Sequence, residues 1–349
     1  MKILITGNMG YVGPAVVRRL RSCHPRAVLA GLDIGYYGHC IAGQAALPER
    51  DLDVQYLADI RRLPEGPLDG VEAVVHLAAI SNDPIGNRFE EITMEINHRA
   101  SIDLARKAKA AGAASFVFAS SCSMYGQADD KPRTESSPLD PLTAYARSKV
   151  LTERDLEPLA SGEFQVTCLR FSTACGWSDR LRLDLVLNDF VAGAVASGEI
   201  SILSDGTPWR PLIDVQDMAR AIDWAVERPR SNDTRFLALN VGSNEANYQV
   251  RDLAEAVAAE IPGTRVSVNK DAAPDKRSYR VNFDLYKRLA PEHQPAVGLG
   301  GSIRELKSGL ESIGFRDAGF RSSRYMRLNI LTELRKRGLL NDQLQWTRP

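Results

Sequence analysis

The sequence predicts an α/β protein built on a doubly wound parallel sheet, followed by a smaller and mostly helical C-terminal part. Three observations carry this. From residue 2 to residue 171, short apolar runs alternate with helix-forming stretches, the pattern of repeated strand–helix–strand crossovers. The first apolar run, residues 2–6, passes directly into the glycine-rich turn Gly7-Asn8-Met9-Gly10-Tyr11-Val12-Gly13 and then into a helical stretch opened by Pro14. Beyond about residue 175 the alternation breaks, and helical patterns with few long strands take over.

The elements follow in order. Gly7 permits a tight turn, Gly10 lets backbone N–H groups approach a pyrophosphate, and Gly13 is expected to let the helix pack close to the sheet. The helix N-terminus favours phosphate charge. The spacing is G-x-x-G-x-x-G rather than G-x-G-x-x-G. A second strand, residues 28–33, ends in Asp33, about 20 residues past Gly13, where a dinucleotide fold places an acid on the adenosine ribose. An acid there repels a 2′-phosphate, so NAD is expected over NADP. A third strand begins at Val54 and runs into Asp59 and Ile60. Asp59 is either an acceptor for the adenine amino group or a helix cap. Residues 73–79 read as a buried fourth strand whose small residues, Ala78 and Ala79, let a cofactor lie against the backbone, with His76 a core or strand-end histidine. Residues 84–111 read as one helical stretch containing Asn97. A fifth strand from Ser115 ends in a hydroxyl cluster with Ser120, Ser121 and Ser123, at the end of a strand that faces the ligand crevice in open α/β sheets. The sixth strand is residues 164–171. Further on, helices are expected at 183–197, 215–227, 249–261, 302–313 and 323–338, with Asn240-Val241-Gly242-Ser243 as a loop and a polar tail.

Composition bounds the function. The 349 residues suggest one large or two modest domains, and 44% hydrophobic residues suffice for a sizeable core. Lys plus Arg and Asp plus Glu are 44 each, so no excess charge points to nucleic acid or an anionic membrane. No apolar run approaches a bilayer span, and the stretch before Gly7 is too short for a signal peptide, so a cytoplasmic protein is expected. The five cysteines show neither paired nor metal-like spacing, which predicts reduced thiols and no metal site.

The chemistry centres on Tyr145-Ala146-Arg147-Ser148-Lys149, expected on a helix running to about residue 160. Residues four apart share a helix face, so the Lys149 ammonium would lie near the Tyr145 phenol. A phenol ionises near pH 10, and a nearby positive charge lowers that value. Tyr145 and Lys149 are therefore candidates for a proton acceptor acting on a sugar or alcohol hydroxyl, with Ser121 holding the substrate oxygen.

With the glycine turn, Asp33, the Ser121 cluster and the Tyr145/Lys149 pair in this order, the sequence resembles the extended short-chain dehydrogenase/reductases. More narrowly it resembles their NAD-dependent epimerase/dehydratase group acting on nucleotide sugars, in the pattern of the UDP-glucose 4-epimerases. The resemblance runs over about residues 1–315. It implies a Rossmann NAD-binding domain at 1–175, a nucleotide-sugar-binding part at 176–315 that returns to the sheet, bound NAD, and a homodimer. Residues 316–349 lie beyond the usual end, and a helical cover over the substrate part or the dimer edge is expected there. By motif, Gly7, Gly10, Tyr11, Val12 and Gly13 match the phosphate loop, Asp33 the ribose acid, and Asp59-Ile60 the adenine contact. Leu77, Ala78 and Ala79 match the strand end beside the cofactor, and Asn97 a helix asparagine of the cofactor site. Ser121, Tyr145 and Lys149 match the catalytic set. Ser81, Ser123, Thr173, Asn188, Arg210 and Arg277 fall at substrate-side positions, with Asn188 and Arg210 expected on the substrate diphosphate, where an arginine fork suits phosphate oxygens.

Departures narrow the reaction. Dehydratases of this group carry Asp-Glu directly after the Ser/Thr, and decarboxylases an acid at the second position. Here these are Cys122 and Ser123. Asp214 also stands where a His is common. The resemblance then implies an epimerase, most simply at C4 through a transient 4-keto sugar. A 4-ketoreductase uses the same residues and is the alternative, followed by a decarboxylase. A non-catalytic NAD sensor leaves the Ser121–Tyr145–Lys149 set unexplained.

Overall fold

The structure, a computed structural model, describes residues 1–43, 46–81, 83–127, 131–229, 234–269 and 278–347. Its strands are β1 (Lys2–Thr6), β2 (Val28–Asp33), β3 (Val54–Leu57), β4 (Ala73–His76), β5 (Ser115–Ser121), β6 (Gln165–Phe171), β7 (Thr173–Cys175), β8 (Glu199–Ile202), β9 (Trp209–Asp214), β10 (Phe236–Val241), β11 (Asn247–Gln249) and β12 (Arg265–Val268). Seven of them form one sheet in the order β10-β6-β5-β4-β1-β2-β3, and every pairing in it is parallel. This is the doubly wound α/β fold that the alternating pattern predicts. The order reverses at β1, which lies between β2 and β4, and such a switch point opens a crevice at the strand ends. The apolar runs make this topology: β1, β4 and β6 are buried along nearly their whole length, as strands covered on both faces must be.

Helices cover both faces. α1 (Gly13–Cys23) and, later in the chain, residues 215–227 pack on one side, where Val16, Leu20, Met218 and Ile222 meet Ile3, Ile5 and Val117. The other side carries the stretch expected as one helix over 84–111. It is broken into α2 (Asp83–Arg88), α3 (Glu90–Met94), a π-helical turn Glu95–Ala100 and α4 (Ser101–Ala110). The cause is visible at the break. The Asn97 carbonyl accepts from Ser101 Oγ (2.7 Å) and Thr152 Oγ1 (2.9 Å), drawing it out of the regular ladder. α5 (Ala144–Leu156) lies beside this segment.

The C-terminal part contains α6 (Val186–Ser197), α7 (Val215–Glu227), α8 (Val250–Glu260), α9 (Asp284–Leu289), α10 (Leu299–Ser312) and α11 (Arg327–Lys336). α6, α8 and α10 share a separate core with Leu187, Leu253 and Leu306 at its centre. Asn240 and Val241, expected in a loop, are the end of β10 in the main sheet. Their turn-like composition misleads because the Asn240 side chain is buried and accepts from Tyr125 Oη (2.7 Å). The last segment does not simply cover the substrate side. Phe315 and Phe320 pack there, but α11 and Leu344 join the core under the sheet.

Candidate active site

The crevice at the switch point is a cavity of about 870 Å³. Its floor is the glycine turn. Gly7 has φ +75°, and a Cβ there would lie 2.5 Å from the Ala78 nitrogen, so only glycine brings β1 and β4 this close. Gly10 donates its N–H to the Gly7 carbonyl (3.0 Å) and, with Tyr11 and Val12, lines the cavity. Gly13 does not line it. A side chain at Gly13 would strike the Asn8 backbone, so this glycine tightens the turn itself and not the helix–sheet contact expected for it. α1 starts without a side-chain cap, which leaves its first N–H groups for an anion.

Asp33 ends β2 on the cavity wall and accepts from the Met9 (3.0 Å) and Gly35 (2.7 Å) amides. Burial raises its pKa against those two amides. Asp59 and Ile60 also line the cavity, but the Asp59 carboxylate caps the turn Ile60–Arg62 and takes a forked ion pair from Arg61 (2.6–3.0 Å). The cap reading of Asp59 is thus the one realised, and Arg61 occupies both its oxygens. Leu77, Ala78 and Ala79 complete this side. A glycine cradle that a Cβ would fill, an uncapped helix N-terminus and a strand-end acid together fit a dinucleotide.

The reactive groups face the other end of the same cavity. Ser121 closes β5, accepts from the Ser123 amide (3.2 Å) and donates to Ser123 Oγ (3.0 Å). Both serines line the cavity. Cys122 turns away, its thiol directed at the Arg170 carbonyl (3.0 Å) in the core, where burial pushes its pKa up. Thr143 caps α5, accepting from Ala146 N (3.1 Å) and donating to Asp83 (2.7 Å). That cap presents Tyr145 to the cavity one helical turn before Lys149. The Lys149 ammonium nitrogen donates to the Ala119 carbonyl (2.6 Å) and sits 4.5 Å from the Phe118 ring centre and 5.6 Å from that of Tyr145. Burial lowers its pKa to about 7. Burial raises Tyr145 to about 12; the Ser121 hydroxyl and Arg182 pull it down, while Asp83 and Cys122 push it up. Of the groups that oppose burial at Tyr145, the Ser121 hydroxyl is the strongest.

Thr173, Ser81 and Arg210 line the cavity as expected. Arg277 lies outside the described residues. Two asparagines are displaced from their expected roles. Asn97 does not reach the cavity: its side-chain amide pairs with both backbone groups of Ile80 (2.8 and 2.9 Å) and with Ser148 Oγ (3.1 Å), locking the end of β4 to α5. Asn188 is buried off the cavity, bonded to the Gly176 amide (3.1 Å), the Arg182 carbonyl and Tyr11 Oη (2.9 Å each). Each fixes wall residues and touches no ligand space. His76, read as a core histidine, is held between Thr6 Oγ1 (2.6 Å) and Ser101 Oγ (2.7 Å), with burial lowering its pKa to about 3.

Sequence reading missed Asp83, Arg182 and Arg327. Arg182 donates to Asp184 (2.6 Å) and Ser81 Oγ (3.1 Å) on the cavity wall. The Arg180-Leu181-Arg182 pair in a loop was the available signal. Of the two, Arg180 points away, paired with Glu49 (2.8 Å), and only Arg182 lines the cavity. Nothing local marks Arg327.

The model of the NAD dependent epimerase/dehydratase family matches residues 3–242. The chain is 26% identical over 283 residues to UDP-glucose 4-epimerase of Lactobacillus helveticus, covering 76% of this chain and 84% of that protein. The corresponding enzyme of Streptomyces lividans is 29% identical over 276 residues, 73% and 80% of the two chains. Among solved structures, TunA, an NAD-dependent NDP-hexosamine 5,6-dehydratase of tunicamycin biosynthesis, superposes with TM-score 0.77 at 25% identity over 91% of this chain and 99% of TunA. MoeE5 in complex with UDP-glucuronic acid and NAD gives 0.74 at 25% identity over 89% and 99%. With the sheet order, the glycine cradle and the Tyr145–Lys149 helix in agreement, the chain belongs to the NAD-dependent epimerase/dehydratase family and is an enzyme with NAD as its cofactor.

Proposed function

We propose that the protein is a nucleotide-sugar epimerase acting at C4 through a transient 4-keto sugar. One observation carries this: Ser121, Tyr145 and Lys149 share a cavity with Ser123, while Cys122 is turned into the core, so neither position after Ser121 offers a carboxylate to the sugar. Tyr145 takes the proton of the C4 hydroxyl, with Ser121 hydrogen-bonded to the same oxygen and Lys149 favouring the phenolate by its charge. NAD, which the glycine turn and Asp33 would hold, would supply a reversible hydride acceptor for C4, so that the hydride could come back to the other face of the ketone. The proton then goes back from Tyr145, and the sum is an isomerisation with no net redox change. Arg210 on the cavity wall supports a diphosphate-bearing substrate. In this reading residues 1–175 hold NAD, residues 176–315 hold most of the nucleotide sugar, and the cytoplasmic enzyme is a homodimer, which light scattering tests.

A second reading, elimination of water from the hexose, is favoured by the likeness to TunA and by Asp83, an acid on the cavity wall that acts electrostatically on Tyr145. A 4-ketoreductase remains the alternative built on the same three residues. Proton NMR of UDP-, dTDP- and GDP-sugars incubated with the protein and no added cofactor separates them. A C4 epimer at equilibrium supports the proposal. An exocyclic alkene signal establishes elimination instead, and turnover only of a 4-keto sugar with NADH establishes a reductase.

A further inference from the structure

The segment after residue 315 connects the two cores across the cavity. Phe315, Phe320, Tyr325 and Met326 pack on the substrate side. Ile330, Leu331, Leu334 and Leu344 pack under the sheet. Its end is pinned to the residues that follow β2 and β3: Trp346 Nε1 donates to the Ile34 carbonyl (2.7 Å), Arg61 Nη1 donates to the Gln343 carbonyl (2.7 Å), and Tyr36 Oη donates to the Leu344 carbonyl. These anchors flank Asp33 and Asp59, the two acids at the adenosine end of the cavity.

Between the two docking regions the segment places Arg327 on the cavity wall. Arg327 is 2% exposed. Its Nη2 donates to the Arg180 carbonyl (2.7 Å) and its guanidinium lies 4.4 Å from the Tyr37 ring centre, while Nη1 has no hydrogen-bond partner among the described residues. No carboxylate of the described residues pairs with it directly. Arg182, also on this wall, repels it, and Asp184, bonded to Arg182, attracts it at longer range. Two neighbouring buried guanidiniums, one paired with Asp184 and the other with an unused N–H and no carboxylate partner among the described residues, are complementary to an anion. Arg182 is tied to the glycine turn, because its carbonyl and the Tyr11 hydroxyl bond the same Asn188 amide.

We propose that residues 316–347 are a strap over the cofactor, and that Arg327 together with Arg182 forms a second clamp on the NAD pyrophosphate, completing the site begun by the glycine turn. The supports of Arg327 select the cofactor over the substrate diphosphate. Tyr37 follows Asp33 in the β2 loop, and the hydrogen bonds that hold the strap's end, to Ile34, Tyr36 and Arg61, fall on that side. Cofactor release then requires the strap to lift, which keeps NAD resident through repeated hydride transfers. This rests on the NAD site of the family and not on the C4 reading, so it is tested by binding and not by turnover.

The test is calorimetric titration of NAD and, separately, of UDP into wild type, Arg327→Gln, Arg327→Lys and Trp346→Ala, with retained NAD counted after gel filtration. Arg327→Gln is expected to weaken NAD by about tenfold or more and UDP by less than about twofold, with Arg327→Lys between wild type and Gln. Trp346→Ala, at the exposed end of the strap, is expected to lose retained NAD faster with UDP affinity unchanged. Weakened UDP with unchanged NAD in Arg327→Gln would assign the clamp to the substrate and overturn the proposal. Unchanged NAD affinity and retention in all three variants would reduce the strap to packing. Should Arg327→Gln fail to fold, Arg327→Lys and Trp346→Ala decide by the same two readouts.

Discussion

Replacing Lys149 with methionine should stabilise the cofactor-free protein at pH 6 and destabilise it above pH 10, while removing activity at both. The ammonium is buried, and burial lowers its pKa from the ordinary 10.5 to about 7. At 1.36 kcal/mol per pH unit this bounds the cost of keeping the charge in the fold at about 5 kcal/mol. Methionine keeps an unbranched chain against Phe118 but leaves the Ala119 carbonyl without its donor, a loss of about 1–3 kcal/mol. The sign follows from linkage. Below pH 7 both states are protonated and the folded state bears the full penalty. Between pH 7 and 10.5 the unfolded chain binds more protons, so wild-type stability rises with pH. Above 10.5 both are neutral and only the lost hydrogen bond remains. The expected gain in the variant is about 2–4 kcal/mol at pH 6, reversing to a loss of about 1–3 kcal/mol above pH 10. Urea midpoints of both proteins at pH 6, 8 and 10.5 measure it. Parallel wild-type and variant curves across that range would refute the claim that Lys149 is a buried, penalised charge.

Two further substitutions probe the other ends of the site. Tyr145→Phe removes the only atom of that ring able to take a proton. Turnover should fall by roughly a hundredfold to ten-thousandfold with NAD affinity kept within a few fold, measured by steady-state rates beside calorimetry. Gly7→Ala places a Cβ 2.5 Å from the Ala78 nitrogen at a positive φ, so β1 and β4 must separate at their ends; beyond about 1–2 kcal/mol of backbone strain, the clash should abolish NAD binding, seen in melting temperature and cofactor content.

What the sequence disclosed was local. The strand–glycine turn–helix unit, Asp33, the Ser121 strand end and the Tyr145 helix each declare themselves within a dozen residues, through turn chemistry and helical spacing, and the structure brings all of them to one cavity. What it withheld was the direction in which a polar side chain points. Asn97 and Asn188 carry types that suit a ligand, yet each is consumed by backbone groups of another segment. Arg180 and Arg182 are two residues apart and go to different places, one to Glu49 and one to the cavity. Arg327 reaches the site from the far end of the chain. Its partners, Tyr37 and Arg180, are remote in sequence, and no periodicity encodes such a contact. The split of residues 83–110 has the same origin, since the π-helical turn answers to Thr152, Ile80 and Ser148 and not to its own sequence.

Burial acts against both members of the catalytic pair, raising Tyr145 and lowering Lys149, so groups outside the Tyr-x-x-x-Lys motif bear on the phenolate as well. The structure names two of opposite sign. Arg182 favours the phenolate and Asp83 opposes it. Removing Arg182's charge in Arg182→Gln should raise the Tyr145 pKa and move the acid limb of the rate–pH profile to higher pH. Asp83→Asn, which keeps an oxygen for the Thr143 hydroxyl, should move it to lower pH. Profiles of kcat with both substrate and NAD saturating read the shift without interference from binding. The opposed directions make the test discriminating: general damage to the site lowers the rate in both variants but has no reason to move the two limbs apart. Limbs that move together, or stay fixed while Lys149→Arg moves its own, would leave control of the phenol with Lys149 alone and remove Arg182 from the reaction.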